Sequence, residues 1–252
     1  MRQLRLQQMQ DRISKTECLS LITSPLGKEF GYRHLWIAFS GSGKTYANVE
    51  LVDASEGAHK YTIVTDQKDK ESSYTSALEL KEIPSIVALG AIEPDDRNHL
   101  MAVIRGIQFS KNVDDEIDFD ITAKVVWEKA LEDAGVLFVV DELADACQGE
   151  RSWLLGDLET RNKSWMRRLY AQGRTLKISI AACTQNLQEI PRAAITNSDT
   201  LGIFKLDRKD LAYATTGKNS FLSDFEAELN ASLDPYEFLF MRRGDETRIC
   251  KF

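Results

Sequence analysis

The sequence predicts an α/β sandwich with a mainly parallel central sheet, and three observations support that prediction. Short apolar runs alternate with helical patterns, as expected when helices cover both faces of a parallel sheet. The run GVLFVVDE at 135–142 is continuously apolar in its strand part, which is typical of a strand buried on both faces. The last segment, residues 237–252, has two apolar stretches around an Arg-Gly-Asp turn and predicts a β-hairpin.

Composition sets the class of protein. The chain has 252 residues, of which 43% are hydrophobic and 28% charged, so it can bury a full core as one domain or as one domain with a small appendage. Its net charge of −7 requires any site for a polyanion to be a focal patch. No apolar run reaches the roughly 18 residues that cross a bilayer, which predicts a cytosolic protein without an intrinsic membrane segment. Four cysteines are scattered without metal-ligand spacing and predict free thiols in a reducing compartment: Cys18, Cys147, Cys183 and Cys250.

The N-terminal segment differs from the rest of the chain. Loosely periodic apolar residues among Arg and Gln predict a helix over 1–22, ended by the Ser-Pro-Leu-Gly turn at 24–27. We interpret residues 1–30 as an N-terminal helical arm and residues 31–252 as the main domain.

The first strand of the main domain leads into a candidate phosphate-binding loop. The stretch HLWIAFSGSGKT, from His34 to Thr45, is an apolar strand followed by a glycine-rich turn that ends in Lys-Thr. Glycines in such a turn let backbone N–H groups approach phosphate oxygens. Lysine would meet the β and γ phosphates, and the hydroxyl that follows would bind Mg²⁺ at the start of a helix. The full pattern has glycine where this chain has Ala38. The predicted nucleotide-binding residues are Ser40, Gly41, Ser42, Gly43, Lys44 and Thr45.

The remaining elements follow in alternation. We predict a helix over 44–53, strands at 61–66 and from Pro84, helices around 95–107 and 121–134, and the strand at 135–142. A basic helix at 161–173, strands at 177–185 and 201–206, and a helix from about 208 complete the domain before the hairpin.

Two carboxylates stand where the most apolar strand ends. Consecutive residues of a strand point to opposite sides, so Asp141 and Glu142 can take different roles. We assign Asp141 to the Mg²⁺ shell, with Thr45, and Glu142 to the water that attacks the γ phosphate. An acidic pair after a strand also serves as a plain solubilising strand end.

Two further residues are candidates for catalysis. The strand at 177–185 ends in Thr184 and Gln185, and we favour the Gln185 amide as a sensor of the γ phosphate, with a polar strand cap as the alternative. Arg174 precedes the same strand, so it is predicted on the far side of the sheet, where its guanidinium can reach an adjacent subunit. Arg167 and Arg168 compete for that role, and a plain surface arginine is the other interpretation.

A basic patch lies between Arg151 and Arg174. It holds six basic residues against two acidic ones, with Trp153, Trp165 and Tyr170 interleaved. Such a patch suits contact with a nucleic-acid backbone, and a helix face that forms salt bridges is the equal alternative. The candidate nucleic-acid-binding residues are Arg161, Lys163, Arg167 and Arg168.

Taken together, the order AFSGSGKT, LFVVDE, GRTLKISIAACTQ and a following apolar strand resembles the FtsK/HerA superfamily of pumping ATPases. Within it the chain looks most like the compact genome-packaging ATPases of viruses and phages. The interval from Arg174 to Gln185 matches the family spacing and is the most specific link. The resemblance covers residues 33–252.

The resemblance implies a RecA-like P-loop NTPase sandwich with an additional strand and a catalytic glutamate. It places the Gln185 strand between the strands of the phosphate loop and Asp141. It further implies that ATP and Mg²⁺ are bound, that subunits form a hexameric or pentameric ring, and that double-stranded DNA is threaded into a preformed capsid. Expected partners are the portal or vertex proteins of a capsid, in the host cytoplasm or at a virion vertex.

Other functions remain open at this point. A DNA-pumping ATPase of conjugation or segregation and an assembly ATPase of filamentous phages are alternatives within the superfamily. A small-molecule P-loop kinase and a nucleotide-stabilised structural ring are alternatives outside it. Paired carboxylates favour an ATP-hydrolysing enzyme over the kinase and the structural ring. The sequence lacks the NKxD motif that would indicate a GTPase.

Overall fold

The computed structural model describes residues 12–23, 31–55, 58–59, 61–65, 86–88, 119–133, 135–148, 164–216, 222, 233–243 and 247–252. The strands of this part are β1 (Arg12–Ile13), β2 (Arg33–Ile37), β3 (Tyr61–Thr65), β4 (Ile86–Ala88), β5 (Val136–Val140), β6 (Ile178–Thr184), β7 (Thr200–Ile203), β8 (Glu237–Arg242) and β9 (Arg248–Lys251). The helices are α1 (Lys15–Thr23), α2 (Lys44–Ala54), α3 (Phe119–Asp133), α4 (Leu143–Gln148), α5 (Trp165–Gln172), α6 (Arg192–Asn197) and α7 (Arg208–Thr215), and a 3₁₀ turn spans Gly173–Leu176.

The strands form one sheet in the order β1-β9-β8-β7-β2-β6-β5-β3-β4. Of these strands only β8 runs against the others, because it pairs antiparallel with both β7 and β9. The predicted parallel α/β sheet with a C-terminal antiparallel pair is therefore confirmed. Strand β6 lies between β2 and β5, which is the order that the resemblance implies.

Alternation along the strands builds a core on each face of the sheet. On one face Leu35 and Ile37 of β2 join Phe138 of β5 in a cluster covered by α3, α4, α5 and α6. On the other face Trp36 and Leu137 lie under α1 and α2. Burial on both faces explains why β5 is apolar without interruption and β6 mostly apolar, whereas β2 begins with the buried polar residues Arg33 and His34.

The N-terminal helix is shorter than predicted. Residues 15–23 are helical, whereas Arg12 and Ile13 form an edge strand that pairs with β9, so the prediction of one helix over 1–22 is wrong for these two residues. Helix α1 packs on α2, with Cys18 and Ile22 buried. The helix predicted at 95–107 and residues Gly244 and Asp245 of the predicted turn lie outside the described residues.

An aromatic cluster packs the C-terminal strands against the elements that flank the phosphate loop. Phe238 of β8 meets the Trp36 ring edge-on at 5.1 Å and stacks on Phe252 at the same centroid distance. Phe252 in turn contacts the ring of Tyr46 in α2, at 6.3 Å. The start of β8 is therefore held next to the first turn of α2.

Candidate nucleotide-binding and catalytic site

The predicted phosphate loop lies at the carboxyl edge of the sheet, between β2 and α2. Gly41 and Gly43 have φ of +80° and +100°, the left-handed region that side chains disfavour. A Cβ on Gly41 would meet no heavy atom within 4 Å, so this part of the loop borders open space. Gly43 is the N-cap of α2, and the positive end of the helix faces the loop. These features fit a site for the phosphates of a nucleotide.

Lys44 is held across this loop. Its Nζ donates hydrogen bonds to the carbonyl oxygens of Ala38, at 3.1 Å, and Phe39, at 3.3 Å. Only 7% of Lys44 is exposed. Ser42 Oγ donates to the same Phe39 carbonyl, at 2.7 Å. The ammonium group is thereby kept beside the loop backbone, where a bound phosphate would lie.

Ala38 takes the place of the first glycine of the usual pattern without disturbing the loop. Its N–H donates to the carbonyl of Thr184, at 3.1 Å, which extends the pairing of β2 with β6 by one residue. Ala38 is 1% exposed and its methyl group packs in the core. The substitution therefore adds apolar contact at a position whose backbone already belongs to the strand.

Thr45 and Asp141 meet as predicted for a Mg²⁺ site. Thr45 Oγ1 donates to Asp141 Oδ1 at 3.2 Å, and the Asp141 N–H is fixed by the Thr65 carbonyl at 3.2 Å. Hydroxyl and carboxylate oxygens are the ligands that Mg²⁺ prefers, and Mg²⁺ is commonly held by one or two protein oxygens plus substrate phosphates. The donor set fits the ion.

Glu142 points to the other side of β5, toward the end of β6. Its carboxylate accepts the N–H of Gln185 at 3.0 and 3.1 Å and that of Ala144 at 3.3 Å. Burial raises the pKa of Glu142, and these hydrogen bonds and the charge of Lys44 partly oppose the rise. A positioned carboxylate with a raised pKa suits a general base.

Gln185 follows β6 at the same edge. Its backbone N–H donates to the Glu142 carboxylate, and Gln185 is exposed to solvent. Thr184 differs, because it is buried and its Oγ1 donates to the Asn186 carbonyl at 3.2 Å. Gln185 is thus the exposed residue of the two, and its role as a sensor of the γ phosphate stays a prediction.

Arg174 lies in the 3₁₀ turn before β6, at the amino edge of the sheet, away from the phosphate loop. Its guanidinium forms an ion pair with Asp199 and donates to the Asn197 carbonyl at 3.5 Å. The structure does not bring Arg174 to the phosphate loop of its own subunit.

The predicted nucleic-acid patch is described only in part. Arg161, Lys163 and Trp153 lie outside the described residues. Arg168 is exposed on α5, with its guanidinium 4.6 Å from the centre of the Trp165 ring, whereas Arg167 is half-buried. Tyr170, expected among the exposed aromatic residues, is instead buried on the sheet, because its position on α5 faces the core.

Tyr236 is a site residue that the sequence did not indicate. Its backbone has φ of +66°, and 56% of the residue is exposed. A Cβ on Gly43 would lie 3.2 Å from the Tyr236 ring, so the ring stands directly against the phosphate loop. Two hydrogen bonds fix the turn: the Asp234 N–H donates to Glu237 Oε2 and the Glu237 N–H donates to the Asp234 carbonyl, both at 3.0 Å. A left-handed non-glycine residue commonly marks a functional site.

Comparison with solved structures places this fold among known ATPases. The genome-packaging NTPase B204 of Sulfolobus turreted icosahedral virus 2, in complex with ATP-gammaS, matches with a TM-score of 0.63 at 12% identity, over 89% of this chain and 98% of that one. VirB4 of Thermoanaerobacter pseudethanolicus matches with a TM-score of 0.62 at 12% identity, over 87% and 88%. The cytoplasmic domain of the type VII secretion ATPase EccC of Thermomonospora curvata matches at 0.52 and 14%, over 88% and 25%.

These similarities confirm the predicted resemblance at the level of the fold. No family model and no curated protein sequence matches the chain. In the described part of the chain, no helix has both the length and the hydropathy that a membrane span requires.

Proposed function

We propose that the chain is an ATPase whose active site is the carboxyl edge of the sheet. One observation carries this proposal: the ends of three neighbouring strands bring together a phosphate loop, a hydroxyl-carboxylate pair and a buried carboxylate from distant parts of the sequence. Phosphoryl transfer requires this combination of charge stabilisation, metal binding and water activation. The fold shared with the viral NTPase bound to ATP-gammaS supports ATP as the nucleotide.

Each residue has a separate role in this proposal. The N–H groups of Ser40 to Gly43 and the Lys44 ammonium hold the phosphates. Thr45 and Asp141 hold Mg²⁺, which would neutralise phosphate charge when bound. Glu142 takes a proton from the attacking water, and Gln185 contacts the γ phosphate.

Tyr236 extends the proposal from the phosphates to the base. Its exposed ring lies beside the loop on a rigid turn, and Tyr46, also exposed, follows the loop on α2. Aromatic faces stack on nucleobases with little dependence on the base. We assign Tyr236 to stacking on the nucleobase.

The amino edge supports a subunit-interface mechanism. Arg174 lies too far along the sheet to serve its own phosphate loop, so it would act on the nucleotide of an adjacent subunit in a hexameric or pentameric ring. Residues 31–252 would form the ATPase domain of that ring, and residues 1–30 an arm attached to it.

The work done by the motor is proposed to be translocation of double-stranded DNA into a capsid. The likeness to a genome-packaging NTPase and the basic helix α5, with Arg168 exposed, support it. Arg161, Lys163 and Arg167 would add to the DNA contact. Portal or vertex proteins would be the docking partners, in the host cytoplasm or at a virion vertex. The equally similar fold of VirB4 supports a conjugation-type or secretion-type motor as the second candidate.

The test is the effect of nucleic acid on ATP turnover. ATP hydrolysis by the full chain is measured with no DNA, with long duplex DNA and with the same mass of single strand. We expect duplex DNA to raise turnover severalfold, and Arg168→Gln to reduce that stimulation while leaving basal turnover intact. Basal turnover that no form of DNA changes would contradict the DNA motor while leaving the ATPase in place.

A further inference from the structure

A cavity lies at the amino edge of the sheet, opposite the phosphate loop. Its volume is about 640 Å³, and three arginines from distant segments line it: Arg33 at the start of β2, Arg174 before β6 and Arg243 after β8. Trp127 and Leu176 add apolar wall. This volume lies within the range of about 300–1,000 Å³ that is typical of small-molecule sites.

The arginines are not fully satisfied by protein atoms. Arg33 is only 4% exposed, and its Nη2 donates to the Leu169 carbonyl at 3.3 Å. Its Nε is buried without a hydrogen-bond partner, and the same holds for Arg174 Nε. An unsatisfied buried donor on a charged group is costly, and such groups are rare in folded proteins. Both Nε–H groups belong to residues that line the cavity and add to its positive potential.

Charge at the cavity is unbalanced. Asp199 pairs with Arg174 through Oδ1, and its Oδ2 accepts the backbone N–H of Arg33 at 2.9 Å. No acidic residue stands among the described residues that line the cavity. In the described part of the chain, Asp199 is the carboxylate that binds two of the three arginines. Burial lowers the pKa of Arg33 to about 10, and the positive charge of Arg174 acts in the same direction.

We propose that this amino-edge arginine cavity binds a phosphate group. Among the described residues, three arginines and one aspartate leave two positive charges in excess, which matches a phosphate dianion. Guanidinium forks bind phosphate oxygens with paired N–H bonds. The proposal gives a role to Arg33 and Arg243, to which the ATPase function gives none, and its second source of phosphate rests on the proposed subunit-interface mechanism. The phosphate comes either free from solution or from a nucleotide carried by a second copy of this chain.

The first arm of the test uses free phosphate. The chain is prepared with Lys44→Ala, which removes the main cation of the phosphate loop, and inorganic phosphate is titrated by calorimetry and thermal unfolding against chloride of equal ionic strength. Arg243→Gln is added in one sample and Arg192→Gln, an exposed arginine on α6, in the matched control. We expect binding that Arg243→Gln weakens at least about tenfold and Arg192→Gln leaves unchanged.

The second arm uses nucleotide on a second copy. Lys44→Ala protein is mixed with wild-type protein loaded with a non-hydrolysable ATP analogue, and association is followed by sedimentation. The nucleotide is identified as the source of the phosphate if association depends on the nucleotide and if Arg243→Gln in the Lys44→Ala partner weakens it. The proposal is overturned if neither inorganic phosphate nor the nucleotide-loaded protein binds the Lys44→Ala chain. It is also overturned if Arg243→Gln and Arg192→Gln have the same effect, or if duplex DNA is the only ligand that binds the cavity. ATP turnover of the wild type is measured separately, so loss of the ATPase proposal would not be mistaken for loss of this one.

Discussion

The two edges of the sheet were assembled from the sequence in different ways. At the carboxyl edge, Lys44, Asp141, Glu142 and Gln185 lie within a few residues of the ends of three neighbouring strands. At the amino edge, Arg174 belongs to a motif, whereas Arg33, Asp199 and Arg243 belong to none and meet it through chain folding alone. A site whose residues follow the ends of apolar strands is therefore visible in the sequence, whereas most of a site built on strand starts and turns is not.

The edges also differ in how their charges are satisfied. The Glu142 carboxylate accepts backbone N–H groups from two other elements, and the Lys44 ammonium is held by two carbonyls. The arginines of the amino edge keep two buried Nε groups without acceptors. The charged groups of one edge are thus bound within the subunit, whereas the other edge keeps unpaired donors beside the cavity for which we propose a phosphate ligand. The predictions below test that contrast.

The largest effect is expected from the amino edge. Arg174→Ala should reduce kcat by about 10³–10⁵, the range measured for arginines that stabilise a transferred phosphoryl group. Mixing Arg174→Ala with Lys44→Ala subunits should restore part of the turnover, because each lacks a different half of an interface site. Steady-state ATPase assays over a range of mixing ratios check it.

The control for this variant separates catalysis from folding. Arg174→Lys keeps a charge for Asp199 but loses the planar fork. Turnover close to wild type in Arg174→Lys, or absence of rescue at every ratio, would assign Arg174 a local structural role.

The next effect concerns the carboxyl edge. Glu142→Gln should lower kcat by about 10²–10⁴ while ATP still binds, since the amide keeps the shape and an acceptor for the Gln185 N–H but cannot take a proton. Single-turnover hydrolysis and equilibrium binding of ATP measure the two quantities. Glu189→Gln, an exposed acid beyond β6, is the matched control and should behave as wild type. Full turnover in Glu142→Gln would remove Glu142 from its proposed role.

The smallest effect separates base from phosphate within the carboxyl edge. Tyr236→Ala should weaken ATP binding by about 1–3 kcal/mol, or roughly 5- to 150-fold, because one stacking face is lost. Binding of inorganic tripolyphosphate, which has no base, should be unchanged. Titration calorimetry with both ligands checks it.

Tyr236→Phe is the matched variant, since it keeps the ring and the left-handed backbone. Equal losses for ATP and tripolyphosphate in Tyr236→Ala would show that the residue only supports the loop at Gly43.

The fold was predictable because its central strands are buried on both faces. The continuous apolar run of β5 and the mostly apolar run of β6 have few alternative structures in a chain with interspersed helices. The N-terminal strand was not predictable, since Arg12 and Ile13 are extended only because β9 offers an open edge. Tyr170 shows the same limit of prediction from sequence. Its neighbours in the sequence suggested a basic patch, but the face of α5 that carries Tyr170 packs on the sheet.

The sequence by itself determined the phosphate loop and the acidic strand end, because glycines with φ above +60° and side chains at strand ends act through neighbouring residues. Tertiary structure alone placed Tyr236 against Gly43 and gathered Arg33, Arg174 and Arg243 around one cavity. Those contacts depend on strand order and on the path of the chain between strands. The motifs implied the order of three central strands only through the resemblance, and local pattern carries no information about the path of the chain between strands, since the energy that fixes it comes from burial of the whole sheet.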